Sequence, residues 1–149
     1  MGLGQRVPVA VLASGSGTNL QALIDAAAHP EFPAELCVVL SNRPQAYALE
    51  RAGAAGIPTE VVRVKDYADR EAYDAEVVRR LQAHGAEWVA LAGYMRLVSP
   101  GFLSAFPNRV MNIHPSLLPA FTGLHAQEQT LDYGVRVAGC TVHLSLIHI

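Results

Sequence analysis

Short apolar runs alternate with helical stripes along this chain, and the first pair is joined by a glycine-rich turn. Val7 to Ala13 is a continuous apolar run ending in Ser14, Gly15, Ser16 and Gly17, after which Leu20, Leu23, Ile24 and Ala27 recur at helical spacing. Leu36 to Leu40 reads as a second strand. It is followed by Ser41, Asn42, Arg43 and Pro44, then by a helix carrying Ala48, Leu49, Ala52 and Ala55 that stops at Gly56 and Pro58. The pattern predicts a third strand over 59–64, a long helix over 70–84 with Tyr73, Val77 and Leu81 on one stripe, and a fourth strand over 88–92. A short helix over 100–106 and a fifth strand over 109–113 complete it. Strands that are apolar throughout belong to a parallel sheet covered on both faces, so the fold class is α/β, a doubly wound, mainly parallel sheet. Ligands of such folds bind beyond the carboxyl ends of the strands, which directs attention to turns 14–19, 41–44, 93–100 and 114–123.

Composition agrees with one such domain. The chain has 149 residues, 51% of them hydrophobic and 16% charged, enough to bury a core without disulfide or metal staples and far from the profile of a disordered segment. Eleven Lys and Arg against thirteen Asp and Glu give a formal charge of −2. That leaves no electrostatic footprint for a nucleic-acid backbone, while a small anionic ligand stays compatible. Cys37 and Cys140 read as buried free thiols in a reducing compartment. No apolar stretch approaches the roughly 20 residues of a membrane helix, and the first run is short and contains Pro8, so a cytoplasmic protein is expected.

The first turn, Gly15, Ser16, Gly17, Thr18 and Asn19, has the makings of an anion site. Glycine lets backbone approach a ligand, and the amides of a helix amino terminus attract negative charge. The alternative is that Thr18 or Asn19 simply caps the helix; the two accompanying glycines favour phosphate. A dinucleotide fingerprint would need glycine at Leu20 and an acid where Ser41, Asn42 and Arg43 stand, and no Lys-Ser or Lys-Thr pair completes a Walker loop. A single terminal phosphate on a small substrate fits better.

In the fifth strand Asn112 and His114 are two apart and therefore share a face, with Pro115 holding His114 extended. Unpaired on an apolar strand, they would cost a few kcal/mol, so they bond to loop backbone or to a substrate. As a pair they suit acyl transfer: an amide that donates to an oxyanion, and an imidazole that stabilises charge and moves protons. No Ser or Cys lies in a nucleophile motif, which favours direct attack by a substrate nucleophile over a covalent enzyme intermediate. His114, His125 and His143 lack metal-ligand spacing, so no metal is expected.

Five segments, 12–21 (LASGSGTNLQ), 70–74 (REAYD), 91–100 (LAGYMRLVSP), 112–119 (NIHPSLLP) and 139–143 (GCTVH), together resemble the phosphoribosylglycinamide formyltransferase family. These are folate-dependent enzymes that move a formyl group from 10-formyltetrahydrofolate to the amine of glycinamide ribonucleotide. The resemblance implies a Rossmann-like formyltransferase fold, with Gly15, Ser16, Gly17, Thr18 and Asn19 on the ribonucleotide phosphate. It also implies Asn112 and His114 as the catalytic pair, and Arg70, Met95, Arg96, Leu97, Val98 and Asn112 at the folate, which serves as co-substrate. Read from the sequence alone, Met95 to Val98 is an apolar loop with one exposed arginine, and Arg70 a first-turn helix charge.

The chain also departs from the family pattern. Thr122 stands in place of a usual proline, and Gln127 where a second histidine often follows His125. The family's strand continues past GCTVH into an acidic segment with an aspartate that orients the catalytic histidine. Here His143 is followed by Leu144, Ser145, Leu146, Ile147, His148 and Ile149, and the last acid is Asp132. Residues 1–149 are thus expected to be one formyltransferase domain, incomplete at its carboxyl end, with 144–149 unlike the family and activity weakened. Two other readings are a hydrolase that deformylates the folate with water and a non-catalytic nucleotide-binding module. The phosphate loop argues against the first, and the missing dinucleotide fingerprint against the second.

Overall fold

The computed structural model describes residues 6–114 and 141–144. Within them the strands are β1 (Val7–Leu12), β2 (Ala34–Ser41), β3 (Thr59–Val61), β4 (Trp88–Leu91), β5 (Val110–His114) and β6 (Thr141–Leu144), and the helices are α1 (Thr18–Ala27), α2 (Tyr47–Ala54), α3 (Arg70–Ala83) and α4 (Pro100–Ala105). The sheet order is β3-β2-β1-β4-β5-β6. Strands β1 to β5 are all parallel, and β6 closes the described edge antiparallel to β5, setting Asn112 opposite His143 and His114 opposite Thr141. The chain winds outward from β1 through β2 to β3, then returns to build β4 on the other side of β1. The carboxyl ends of β1 and β4 are therefore the switch point at which such sheets open a crevice.

Residues of β1 alternate between two cores. Val9, Val11 and Ala13 pack with Leu20 of α1 and Ala48 and Ala52 of α2. Ala10 and Leu12 face the opposite layer, where Tyr73, Val77 and Leu81 of α3 meet Phe102 and Phe106. The predicted α3 stripe is wholly buried, each of its three residues showing no exposed surface. Each such side chain contributes about 1.5–3 kcal/mol through removal from water.

Two strands differ from expectation. In β2 the pairing slips between Val9 and Ala10, which oppose Leu36 and Val38, so Cys37 is an extra residue. Leu36 and Val39 consequently face the α1/α2 core although three apart, while Val38 and Leu40 face α3. At this bulge the Cys37 thiol is half-buried rather than buried, and burial pushes its pKa up. Strand β3 ends at Val61 instead of running to Val64. Its partner β2 ends opposite it at Ser41, and the chain leaves through a short 3-10 turn, Val64–Asp66. The other boundaries fall within one or two residues of the sequence reading.

Along the β3 edge, charged side chains tie α3 to the sheet. Arg80 bridges Glu76 at 2.7 Å and Glu60 at 3.0 Å, His84 Nε2 lies 2.9 Å from Glu60, and Arg79 also binds Glu76. Arg79, then Arg80, hold the Glu76 carboxyl down to about 2, and the hydrogen bond to His84 leads the lowering of Glu60. Carboxylates depressed by folding add stability above their unfolded pKa and lose it as pH falls through the folded value. The contribution of Glu76 is therefore complete above about pH 4.5 and disappears toward pH 2. The Arg80 pairs are partly exposed, and solvent screening leaves about 1 kcal/mol or less at stake for each of them. Urea unfolding at pH 6 and pH 3 should show a smaller pH effect in Glu76→Gln than in the parent; an equal effect would contradict this.

Candidate active site at the carboxyl edge of the sheet

Helix α1 opens on Gly17, whose backbone is left-handed at φ 78°, and no side chain among the described residues caps it. Thr18 and Asn19 lie inside the first turn, so the alternative in which one of them simply caps the helix is not what the structure has. The leading amides of α1 are left for another acceptor. Gly17 is needed for more than ligand approach: a Cβ there would sit 2.7 Å from Ala48 Cα and 2.8 Å from Ala48 Cβ. Gly15 has nothing within 4 Å of such an atom, and its carbonyl accepts the Ala48 amide at 3.0 Å. Arg51 buttresses the turn from α2, donating from Nε to the Ser16 carbonyl at 2.7 Å while its guanidinium lies 4.9 Å from the Tyr47 ring centroid.

The turn is joined to its neighbours through Ser14, which is 1% exposed. Its hydroxyl donates to Asn42 Oδ1 at 2.7 Å and accepts the Met95 amide at 2.8 Å, while its own amide donates to the Gly93 carbonyl at 3.1 Å. One buried side chain therefore fastens the ends of β1, β2 and β4 together. The sequence directs attention to the turns of Ser14 and Asn42 but gives neither residue a role; the available signal is a polar residue closing an apolar run whose last five residues, Val9 to Ala13, are buried.

Within loop 93–99 the residues alternate. Met95 and Leu97 point outward, 73% and 75% exposed, while Arg96 and Val98 are half-buried. Arg96 is thus not the exposed loop charge of the sequence reading. Its guanidinium stacks 4.6 Å from the Tyr73 ring centroid, and its buried Nε has no partner among the described residues. Tyr73 donates to the Val62 carbonyl at 2.7 Å, and burial raises the pKa of both Tyr73 and the adjacent Tyr94. Asp74, 3% exposed, accepts the Ser99 amide at 2.7 Å, and Ser99 Oγ caps α4 by accepting the Phe102 amide. The cost of burying this carboxylate is offset by that bond and locks the far end of the loop to α3. Asp74 is one helical turn from Arg70, which is exposed at the start of α3 beside the cap Asp69.

Asn112 is exposed on β5 between Leu91 of β4 and His143 of β6. Val110 joins the α3/α4 core and Met111 packs against the α1/α2 core, so strand alternation assigns position 112 to the α3/α4 face. His114 follows two positions later, in register with Thr141. The expectations on turn 115–123, Thr122, His125, Gln127, Cys140 and 145–149 lie outside the described residues. Among the described residues no three His, Cys, Asp or Glu side chains form a metal-binding group, and no helix is long and apolar enough to cross a membrane.

The model of the formyl transferase family matches residues 7–145. The chain is 49% identical over 141 residues to the trifunctional purine biosynthetic protein adenosine-3 of Drosophila melanogaster, covering 93% of this chain and 10% of that protein. It is 43% identical over 135 residues to phosphoribosylglycinamide formyltransferase of Escherichia coli (strain K12), covering 91% of this chain and 64% of that protein. The crystal structure of glycinamide ribonucleotide transformylase 1 from Symbiobacterium toebii superposes with a TM-score of 0.80 at 52% identity, covering 98% of this chain and 68% of that one. The chain thus spans about a tenth of the trifunctional relative and about two thirds of the single-function ones.

Proposed function

This chain belongs to the formyl transferase family, and from that premise we propose that it transfers a formyl group from 10-formyltetrahydrofolate to the amine of glycinamide ribonucleotide, a cytoplasmic step of purine synthesis. The observation that carries this reading is the first turn: an α1 amino terminus on left-handed Gly17 that no side chain among the described residues caps, joined through Ser14 to loop 93–98. A hydrolase using water needs no phosphate site beside its folate site. The amides of Gly15, Ser16, Gly17, Thr18 and Asn19 receive the phosphate, with the helix dipole favouring its charge. Met95 and Leu97 offer apolar surface to the folate ring system, while Arg70, Arg96 and Val98 complete that side.

In the reaction the free amine attacks the formyl carbon and a C–N bond forms. The Asn112 amide donates to the developing oxyanion, and protonated His114 stabilises it. Collapse breaks the bond between the formyl carbon and N10 of the folate; the attacking nitrogen loses a proton and N10 gains one, with His114 as the relay. Asn112 and His114 at alternate positions of one strand, at the edge where the sheet turns antiparallel, suit this division of labour.

Folate release should require glycinamide ribonucleotide, and titration should show binding of that ribonucleotide but not of NADPH. Release at an equal rate without the ribonucleotide would favour the hydrolase, and NADPH binding alone would favour a dinucleotide module.

A further inference from the structure

Ser14 is a buried hydroxyl that the chemistry above leaves unused, and it lies on the polar path linking the two proposed substrate sites. On one side it precedes the phosphate turn directly; on the other its oxygen accepts the Met95 amide, in the loop that carries the exposed Met95 and Leu97. Its proton goes to Asn42 Oδ1, which orients the hydroxyl so that a lone pair faces Met95. With 1% of its surface exposed, water cannot substitute for either bond without rearrangement. The turn is also pinned from behind, by Ala48 against Gly17 and by Arg51 on the Ser16 carbonyl. Position 14 is therefore joined to residues 15–19 through the chain and to loop 93–98 through its hydroxyl.

We propose that Ser14 is a positioning residue that couples the two sites, so that occupancy of the phosphate turn orders loop 93–98 and raises affinity for the folate, and the reverse. The inference rests on the transferase reading, since it needs two ligands. Coupling of this kind is reciprocal and requires no large movement, only that the first ligand bear part of the cost of ordering the second site. The bond from Asn42 makes it a three-strand device, which distinguishes Ser14 from a residue that merely fills space.

The test is calorimetric titration of glycinamide ribonucleotide with and without saturating tetrahydrofolate, which has no formyl group to transfer. In the parent protein the second ligand should bind about tenfold more tightly than it does alone. In Ser14→Ala that factor should fall below about twofold, in Asn42→Ala it should fall part of the way, and Asn42→Asp, which keeps the acceptor oxygen, should retain it. Hydrogen exchange adds a direct reading: the ribonucleotide should slow exchange of the Met95 amide in the parent but not in Ser14→Ala. If Ser14→Ala does not fold, the two Asn42 variants carry the comparison. Undiminished coupling in Ser14→Ala or in Asn42→Ala, or a parent that binds both ligands independently, would overturn the proposal. A parent that binds neither ligand alone would overturn the transferase reading itself, and the single-ligand titrations tell the two failures apart.

Discussion

Replacing His114 by alanine should lower formyl transfer by about 10²- to 10⁴-fold, the usual contribution of a general acid–base group. The loss should fall on kcat, with the KM for the ribonucleotide changed little, because in the proposed mechanism the imidazole acts on the reacting atoms while the phosphate is held at the first turn. Asn112→Ala should cost about 10²- to 10³-fold, as for loss of one oxyanion donor. The two effects should not add, since in the proposed mechanism both groups serve the same intermediate. Steady-state rates for the single and double variants check this; a His114→Ala protein with parental kcat would remove histidine from the chemistry.

Gly17→Ala is the second large effect, and it reads out first in stability. The substitution places a side chain on a left-handed residue at φ 78° and drives its Cβ to 2.7 Å from the Ala48 backbone. Left-handed strain of about 1–2 kcal/mol and overpacking of about 1–3 kcal/mol together give roughly 2–5 kcal/mol, a large part of the usual stability of a domain. Because the obstacle is backbone on α2, relief requires moving the turn, so ribonucleotide affinity should fall as well. Gly15→Ala is the matched control: nothing lies near the added methyl, and stability should stay within about 0.5 kcal/mol of the parent. Denaturant midpoints for the two variants make the comparison, and equal midpoints would mean that the packing of the turn on α2 does not hold it.

Much of the fold is legible in local pattern. The strand–helix alternation, the buried α3 stripe of Tyr73, Val77 and Leu81, and the double winding all follow from short-range periodicity, and the structure contains them. What pattern could not carry were features set by a partner strand. The slip that makes Cys37 an extra residue exists only in the pairing of β2 with β1, and the early end of β3 follows from where β2 stops. At the site, the glycines of the first turn could be read as a place for a ligand, but not the reason for Gly17, because Ala48 lies 31 positions away on another helix. Ser14, Asn42, Asp74 and the stacking of Arg96 on Tyr73 escape for the same reason. Each is defined by a contact between distant segments, and the residue types alone look like turn or helix-surface polarity.

The Ser14 bonds and the Asp74 bond also show how loop 93–99 is fastened at its two ends. It is held at Gly93 and Met95 by the end of β1 and at Ser99 by α3, leaving Met95 and Leu97 to face outward between fixed points.

The fate of an isotopically labelled formyl group tests the central claim most directly. With ¹³C-formyl donor and glycinamide ribonucleotide present, the account predicts that the label appears as an N-formyl group on the ribonucleotide, that free formate stays at the uncatalysed level, and that His114→Ala slows formation of the enzyme-dependent product by about 10²- to 10⁴-fold. Label released chiefly as formate, at a rate indifferent to the ribonucleotide, would contradict it.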